Sequence, residues 1–160
     1  MDGRRWRAGV KAMRSAGGVA PVVERLQAWL PRDDGAEQVE ALTRVLAMCT
    51  SVDKSMAAEL EAAGGVSLVL RVAGDLTVSA AAAGNACLCV GDCAAHDGAL
   101  KTLAKADAVA ALVPVAQKRS GTCQRNAGIA LAKMAARDDG CKARLVELRG
   151  LEVMHAYVKP

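Results

Sequence analysis

The stretch LEAAGGV at residues 60–66 ends one apolar helical segment at a pair of glycines and begins the next segment with valine. The same pattern returns later in the chain at spacings of 42 and 43 residues, in the sets Leu60, Leu103, Leu145 and Val66, Val109, Leu151. A third set with these two spacings is Leu46, Leu88 and Leu131. Self-similarity at this period is typical of α-helical solenoids, which mostly present an elongated surface to another macromolecule. The sequence therefore predicts a binding module.

Each unit is predicted to contain two longer helices and one short helix, separated by glycine, proline and aspartate residues. Asp53, Asp97 and Asp139 are predicted to be N-caps of the short helices. Gly84 and Gly128, which interrupt two predicted helices, are expected to allow neighbouring helices to approach closely. The predicted boundaries lie within one domain of residues 1–160: 1–16 as the end of a preceding repeat, 17–63, 64–106 and 107–149 as three repeats, and 150–160 as the start of a further repeat.

The composition favours an all-α protein. Hydrophobic residues make up 52% of the 160 residues, but aromatic residues make up only 2%. Alanine, leucine and valine must therefore form the core, which suits closely packed helices and is poor material for a β-sandwich. The longest uncharged stretch, residues 76–91, is too short and too polar for a membrane span. The first fifteen residues lack the apolar segment of a secretory signal.

The net charge of +4 is unevenly distributed. Residues 1–20 carry five basic side chains and one acidic one, and residues 101–160 carry eleven basic and five acidic ones. We interpret these charges as the solvated faces of successive repeats. An alternative is nucleic-acid or acidic-surface binding by the basic N-terminal helix through Arg4, Arg5, Arg7, Lys11 and Arg14. The scarcity of aromatic residues for base stacking does not favour nucleic acid as the partner.

Nothing around the six cysteines implies an oxidising compartment, so we expect a reduced, cytoplasmic protein. The segment Cys87–His96 is the one candidate for a metal or redox module, because Cys89, Cys93 and His96 would share one face of a continued helix. Zinc sites usually take four ligands from two separated pairs, so buried structural thiols are the favoured interpretation, with no metal and no cofactor. No pairing of nucleophile and base is evident, and the sequence does not predict an enzyme.

The repeats resemble the armadillo repeat, in which a short helix precedes two longer ones and a sharp glycine-rich turn separates successive units. The residues that carry this resemblance are GGVAPVV at 17–23, LEAAGGV at 60–66, and CQRNAGIALAKMA at 123–135, which is similar to the third armadillo helix. The resemblance implies an all-α, right-handed armadillo-like superhelical solenoid of about three repeats with incomplete terminal units. The HEAT repeat, whose period overlaps, is the alternative.

The resemblance also implies that another protein binds along the third helices, which would line the concave surface. The expected partner-binding residues are Glu40, Arg44, Met48, Ala82, Ala86, Val90, Arg125, Ile129 and Lys133. Peptide-binding armadillo proteins such as importin-α carry an asparagine on the third helix that holds the backbone of the partner, and that position is assigned here to Met48, Val90 and Lys133. Recognition of nuclear signals in the importin manner is therefore not expected. Asn85 and Asn126 are interpreted as residues at helix starts.

Residues 126–153 further resemble the C-terminal armadillo region of tetratricopeptide-repeat proteins that act in the cytoplasmic assembly of ciliary dynein arms. This resemblance implies a scaffold or adaptor that is part of a larger dynein-assembly protein. No tetratricopeptide portion is present in these 160 residues.

Both ends of the chain are expected to expose apolar stripes, because each resembles an interrupted repeat. One stripe would consist of Trp6, Val10 and Met13, and the other of Leu151, Met154 and Val158. Exposed apolar patches usually mark interfaces, so self-association through the terminal helices is expected.

Overall fold

The computed structural model describes residues 3–152, with side chains described from residue 7 onward. This part of the chain consists of α-helices joined by short turns, without strands. None of these helices is both long enough and apolar enough to cross a membrane. The helices are α1 (Gly3–Ser15), α2 (Ala20–Trp29), α3 (Ala36–Val52), α4 (Met56–Ala62), α5 (Gly65–Gly74), α6 (Ala80–Cys93), α7 (Asp97–Lys105), α8 (Ala108–Lys118), α9 (Gly121–Ala135) and α10 (Asp139–Glu147).

The helices stack in repeating units, and each long helix packs on its counterpart in the next unit. The third helices of the units, α3, α6 and α9, form one layer, and α2, α5 and α8 form a second layer against it. The short helices α4, α7 and α10 follow the third helices and connect the units. One continuous apolar core lies between the layers. The prediction of an all-helical solenoid is confirmed.

Polar contacts between neighbouring third helices show that equivalent positions lie 41 residues apart. The Nζ atom of Lys133 donates to Oδ1 of Asp92 at 3.0 Å, across a separation of 41 residues. Ser51 Oγ donates to Oδ2 of the same carboxylate at 2.6 Å, again 41 residues away. This spacing defines which side chains occupy the same position in α3, α6 and α9.

The predicted correspondence of Leu46, Leu88 and Leu131 is therefore wrong. With a register of 41 residues, Leu131 of α9 corresponds to Val90 of α6. Val90 and Leu131 are each 1% exposed, whereas Leu88 is half-buried at the edge of the core. Leucine recurred at a similar spacing on two different faces of the helices, which is why the sequence pattern was misleading.

A residue in the left-handed region directly precedes each of α5 and α8, and another follows α10. These residues are Gly64 with φ 70°, Asp107 with φ 51° and Arg149 with φ 56°. Glycine adopts this conformation without strain because it has no Cβ. At Asp107 the side chain compensates, because it accepts hydrogen bonds from the backbone N–H of Ala110 at 3.4 Å and from Arg144 at 2.9 Å. The hydrogen bond from Arg144 also lowers the pKa of Asp107.

The N-caps predicted at Asp53, Asp97 and Asp139 are wrong by one or two residues. Asp53 is the C-cap of α3, and the other two are the first residues of α7 and α10. The capping hydrogen bonds of α7 and α10 go to the side chains of His96, at 3.2 Å, and Asp138, at 2.7 Å. Each of these residues directly precedes the aspartate that the sequence pattern favoured.

The predicted terminal stripes are only partly exposed. Val10 is 8% exposed, so its expected exposure is wrong, and Met13 is half-buried beside Cys49, with 3.7 Å between the two sulfur atoms. Leu151 is 43% exposed, as expected. The side chains of Trp6, Met154 and Val158 lie outside the described residues.

The layer of third helices depends on close backbone contact at Gly84. A Cβ atom at this position would lie 3.2 Å from the Cα of Cys123 in α9. The expectation of close approach is thus confirmed at Gly84, but it is wrong at Gly128, where a Cβ would meet nothing within 4 Å. Both glycines lie in the layer of third helices, but Gly84 faces the backbone of α9, whereas the space around Gly128 is open.

This difference predicts opposite effects of two alanine substitutions on the free energy of unfolding. Gly84→Ala should lower it by about 1–2 kcal/mol, because the methyl group meets backbone atoms that cannot yield without moving α9. Gly128→Ala should raise it by about 0.5–1 kcal/mol, because alanine is the better helix former and space is free. Urea unfolding at low protein concentration measures both changes, and equal effects of the two substitutions would contradict the packing described.

Candidate protein-binding surface

The third helices present a continuous row of side chains that the neighbouring layers do not cover. We call this row the third-helix surface, and all of its members are exposed or half-buried. Its members, in register across α3, α6 and α9, are Glu40, Ala81 and Thr122; Arg44, Asn85 and Asn126; Ser51, Asp92 and Lys133; together with Leu88 and Ile129.

Three residues of the third-helix surface form a polar chain across all three helices. The Asp92 carboxylate is in the middle and accepts one hydrogen bond from Ser51 and one from Lys133, at 2.6 and 3.0 Å. The carboxylate side chain is 18% exposed, while the lysine side chain is 43% exposed. The charge of Lys133 is therefore balanced within the protein, and its contribution to an external ligand is reduced.

The charges at the N-terminal end of the third-helix surface are balanced in a similar way. Arg44 donates to Oε1 of Glu40 at 3.1 Å, one helical turn away, and Ser79 Oγ donates to Oε2 of the same carboxylate at 2.9 Å. Farther along, the side-chain amide of Asn126 donates to the backbone oxygen of Gly84 at 3.0 Å. The hydrogen bonds of Ser79 and Asn126 join neighbouring units through side chains that also face solvent.

The prediction for the middle of the binding surface is wrong. Ala82, Ala86 and Val90 are 1%, 0% and 1% exposed and pack inside the core. A partner cannot contact them while the helices remain stacked. The accessible side of α6 is instead formed by Ala81, Asn85, Leu88 and Asp92, which lie one or two residues from the predicted positions.

The other predicted residues are accessible. Glu40, Arg44, Ile129 and Lys133 belong to the third-helix surface, while Met48 and Arg125 flank it and are half-buried and exposed respectively. Binding at any of these positions stays a prediction.

Sequence reasoning missed Asn85, Leu88 and Asp92 as members of the surface. Asn85 and Asn126 are interior residues of α6 and α9, so their interpretation as helix starts is wrong. Their separation in the sequence equals the 41-residue register, which could have identified the correct face. No corresponding asparagine exists in α3, where Arg44 takes that position.

The basic N-terminal helix is partly engaged in internal ion pairs. Arg14 lies 3.0 Å from an oxygen of Asp53 and 2.8 Å from an oxygen of Glu59, which connects α1 to α4. Arg7 and Lys11 are exposed. The side chains of Arg4 and Arg5 lie outside the described residues.

The candidate metal ligands between Cys87 and His96 do not share one helix face. α6 ends at Cys93, and His96 belongs to the next helix as its N-cap, with Nδ1 accepting the hydrogen bond from Ala99. Cys87 and Cys89 are completely buried in the core. Among the described residues, no group of three histidine, cysteine, aspartate or glutamate side chains is arranged to hold a metal ion.

Solved structures of designed proteins share this arrangement of helices. A designed armadillo repeat protein in complex with the peptide (KR)4 superposes with a TM-score of 0.75 at 21% identity, over 90% of this chain and 58% of that one. Designed armadillo repeat proteins for modular peptide recognition give a TM-score of 0.74 at 23% identity. The fold is the armadillo repeat fold. An engineered protein with a TM-score of 0.76 at 25% identity also matches, over 91% of this chain and 57% of its own.

The sequence of this chain also matches part of two curated proteins. Tetratricopeptide repeat protein 12 of Mus musculus is 40% identical over 80 residues, which are 48% of this chain and 11% of the relative. The Homo sapiens protein of the same name is 35% identical over 78 residues. The chain thus spans about a tenth of the length of these relatives. No family model matches the sequence.

All six cysteines of the armadillo fold are free and buried. Burial raises the pKa of Cys49 and of Cys141 to about 11. A hydrogen bond with Cys123, together with burial, raises the pKa of Cys87. The same hydrogen bond lowers the pKa of Cys123 to about 7, but this thiol is only 3% exposed. Because the thiolate is the reactive form, the raised pKa values of Cys49, Cys87 and Cys141 are typical of structural cysteines.

The burial of the thiols predicts slow labelling of the folded protein. At neutral pH an aromatic disulfide reagent should react with less than one thiol equivalent in the first minutes, and with all six after unfolding in denaturant. The measurement is the absorbance of the released aromatic thiolate. Rapid reaction of several thiols in the native protein, or stoichiometric zinc in protein purified under reducing conditions, would support the metal or redox alternative instead.

Proposed function

We propose that this chain is a protein-interaction module that binds a segment of a partner protein along the third-helix surface. Armadillo solenoids generally serve binding, and one designed relative in fold was solved with a bound peptide. The observation that carries the proposal is an exposed pair on α9, formed by Ile129 of the third-helix surface and by Arg125, which flanks it. The isoleucine is 43% exposed, and the two residues are one helical turn apart on the same side of the helix.

The charges on the surface indicate the chemistry of the partner segment. Arg44 and Lys133 are balanced by Glu40 and Asp92, whereas Arg125 forms no ion pair with any described side chain. An acidic side chain of a partner can therefore pair with Arg125 without breaking an internal contact. An apolar side chain next to it would cover Ile129 and Leu88. We propose an extended or helical segment with an apolar residue beside an acidic one.

A selection from a displayed peptide library on the immobilised protein tests this proposal. The selected peptides should combine apolar and acidic residues, and their affinity should be measured by fluorescence anisotropy. Arg125→Glu should weaken their binding by about tenfold or more, which is about 1.4 kcal/mol, because attraction becomes repulsion. The double variant Arg125→Glu with Lys133→Glu, which removes a second positive charge from the surface, should weaken it further.

A matched control carries the same change of charge on another surface. Lys101→Glu with Lys105→Glu changes two exposed lysines of α7. This control should bind the selected peptides like the unchanged protein, and circular dichroism should show equal helicity for all variants. Equal weakening by the control and by the Arg125 variants would place binding outside the third-helix surface. A library that yields no peptide would count against the proposal itself.

A more specific hypothesis is that the module acts in the assembly of ciliary dynein arms. It is supported by the local similarity to tetratricopeptide repeat protein 12 and by the resemblance of residues 126–153 to such proteins. In this role the chain would act in the cytoplasm, which agrees with six free thiols. Loss of the protein from ciliated cells should then remove dynein arms seen by electron microscopy of axonemes. Normal arms after its loss would contradict this role and leave the general binding function intact.

A further inference from the structure

The loops that join α2 to α3, α5 to α6 and α8 to α9 follow one another along one edge of the solenoid. They comprise residues 30–35, 75–79 and 119–120, and we call them the first, second and third edge loops. Each edge loop begins at the C-cap residue of the helix before it, which is Leu30 for α2, Asp75 for α5 and Arg119 for α8. The same position therefore carries an apolar, an acidic and a basic side chain in three successive units.

Between the second and third edge loops, the side chain of Arg119 spans the gap. Its Nη2 atom donates to the backbone oxygens of Asp75, Leu76 and Val78, at 3.4, 2.9 and 2.7 Å. Hydrogen bonds from a charged donor are stronger than those between neutral groups. A guanidinium group thus fits between two consecutive edge loops, and the oxygens of the preceding loop hold it there.

Between the first and second edge loops, the equivalent space is an open cavity of about 370 Å³. Asp75 has the position of Arg119, but its shorter side chain folds onto its own loop. There its Oδ1 atom accepts hydrogen bonds from the N–H and the Oγ of Thr77, at 2.7 and 2.6 Å. In the part of the chain that the structure describes, no side chain of the second edge loop donates a hydrogen bond to the first one.

The lining of this cavity is amphipathic. Its apolar part consists of Leu30, Pro31, Val39 and Val78. Its acidic part consists of Asp33 in the first edge loop and Asp75 in the second. Lysine and arginine side chains have the matching construction, with an aliphatic stem that packs on apolar surface and a charged end. The cavity therefore fits a long basic side chain.

One basic residue, Arg32, also lines the cavity, but its charge is balanced within the first edge loop. Its guanidinium donates to the two carboxylate oxygens of Asp34, at 2.9 Å each, and lies 4.5 Å from the ring centroid of Trp29. Arg32 therefore has internal partners, and it does not cancel the charge of the two aspartates in the lining.

These two aspartates keep negative charge available for a ligand. Asp33 forms no ion pair with any side chain in the described part of the chain. The hydrogen bonds from Thr77 lower the pKa of Asp75, which keeps this carboxylate ionised at neutral pH. The charge of Arg119, on the other side of the second edge loop, contributes less to this lowering than the hydrogen bonds do. The cavity therefore carries an excess of negative charge.

We propose that the cavity between the first and second edge loops binds an arginine side chain of a partner protein, in the position that Arg119 takes between the second and third edge loops. The aliphatic stem packs against Pro31 and Val78, and the guanidinium pairs with Asp33 and Asp75. Arginine fits better than lysine, because its planar guanidinium can donate to several oxygen atoms at once. The site lies in the loops beside the third-helix surface, and it takes the opposite charge from the ligand proposed for that surface.

Binding of N-acetyl-arginine amide tests the proposal, because this probe carries the side chain without other recognition elements. In proton–nitrogen correlation NMR spectra of the whole chain, the backbone amides of Gly35, Thr77 and Ser79 should shift and saturate as the probe is added. N-acetyl-citrulline amide, which has nearly the same shape without the charge, should cause no saturating shifts. N-acetyl-lysine amide should bind more weakly than the arginine probe, and added salt should weaken the arginine complex.

Two double variants show whether the aspartates hold the probe. Asp33→Asn with Asp75→Asn removes both charges and keeps an acceptor for Thr77, and it should weaken binding of the arginine probe by about fivefold or more, because two ion pairs are lost. The matched control, Glu24→Gln with Asp139→Asn, removes two negative charges at exposed positions of α2 and α10 away from the edge loops. This control should bind the probe like the unchanged protein, and circular dichroism should show equal helicity for both variants.

Three results would overturn the proposal: the absence of saturating shifts at the lining amides, equal affinity for the arginine probe and either analogue, and equal affinity of the two double variants for the arginine probe. The neutralised variant retains Arg125 and Ile129, so it should still bind peptides selected on the third-helix surface. Conversely, Arg125→Glu should leave binding of the arginine probe unchanged. Failure at one site is therefore distinguishable from failure at the other.

Discussion

The close approach of neighbouring third helices is the constraint on which the rest of this structure depends. At Gly84 a methyl group would lie only 3.2 Å from the Cα of Cys123 in α9, and the residues around it are mostly alanine and cysteine. The helices stack with a register of 41 residues, as the contacts of Asp92 with Ser51 and Lys133 show, and this register decides which side chains are buried and which face solvent. The absence of phenylalanine from the sequence fits such a packing, because large side chains would separate the helices.

The fold could be predicted from the sequence because the same weak pattern recurs at nearly constant spacing along the whole chain. No single motif is specific, but leucine and valine pairs recur at nearly constant spacing and glycine or aspartate marks the same turns. Which side of α6 is exposed to solvent could not be predicted in this way. Alanine occupies several consecutive positions at its start, so the apolar pattern has the same appearance from every side of the helix. The binding residues assigned there were consequently buried, while Asp92, one of the few polar residues of α6, identified the exposed side.

The candidate surface shows which charges on a repeat protein remain available to a partner. A sequence shows Arg44, Arg125 and Lys133 as equivalent cations, but the structure distinguishes them. Arg44 and Lys133 have carboxylate partners within the fold at 3.1 and 3.0 Å. Exposed pairs of this kind contribute little stability, yet they offset the charge that a ligand would otherwise meet. The Arg44–Glu40 pair is local, at four residues' separation, but the Lys133–Asp92 pair joins residues 41 positions apart, which no local sequence pattern contains.

Asp92 also limits how such a chain can evolve. Repeat proteins commonly grow by duplication of single units, which works when each unit makes the same contacts with its neighbours. Here a serine, an aspartate and a lysine take the same position in three successive units, and one carboxylate serves two interfaces. Duplicating the middle unit would place two carboxylates side by side, and deleting it would leave the lysine facing a serine. The three units are therefore not interchangeable copies, and inheritance as one block preserves the contacts between them.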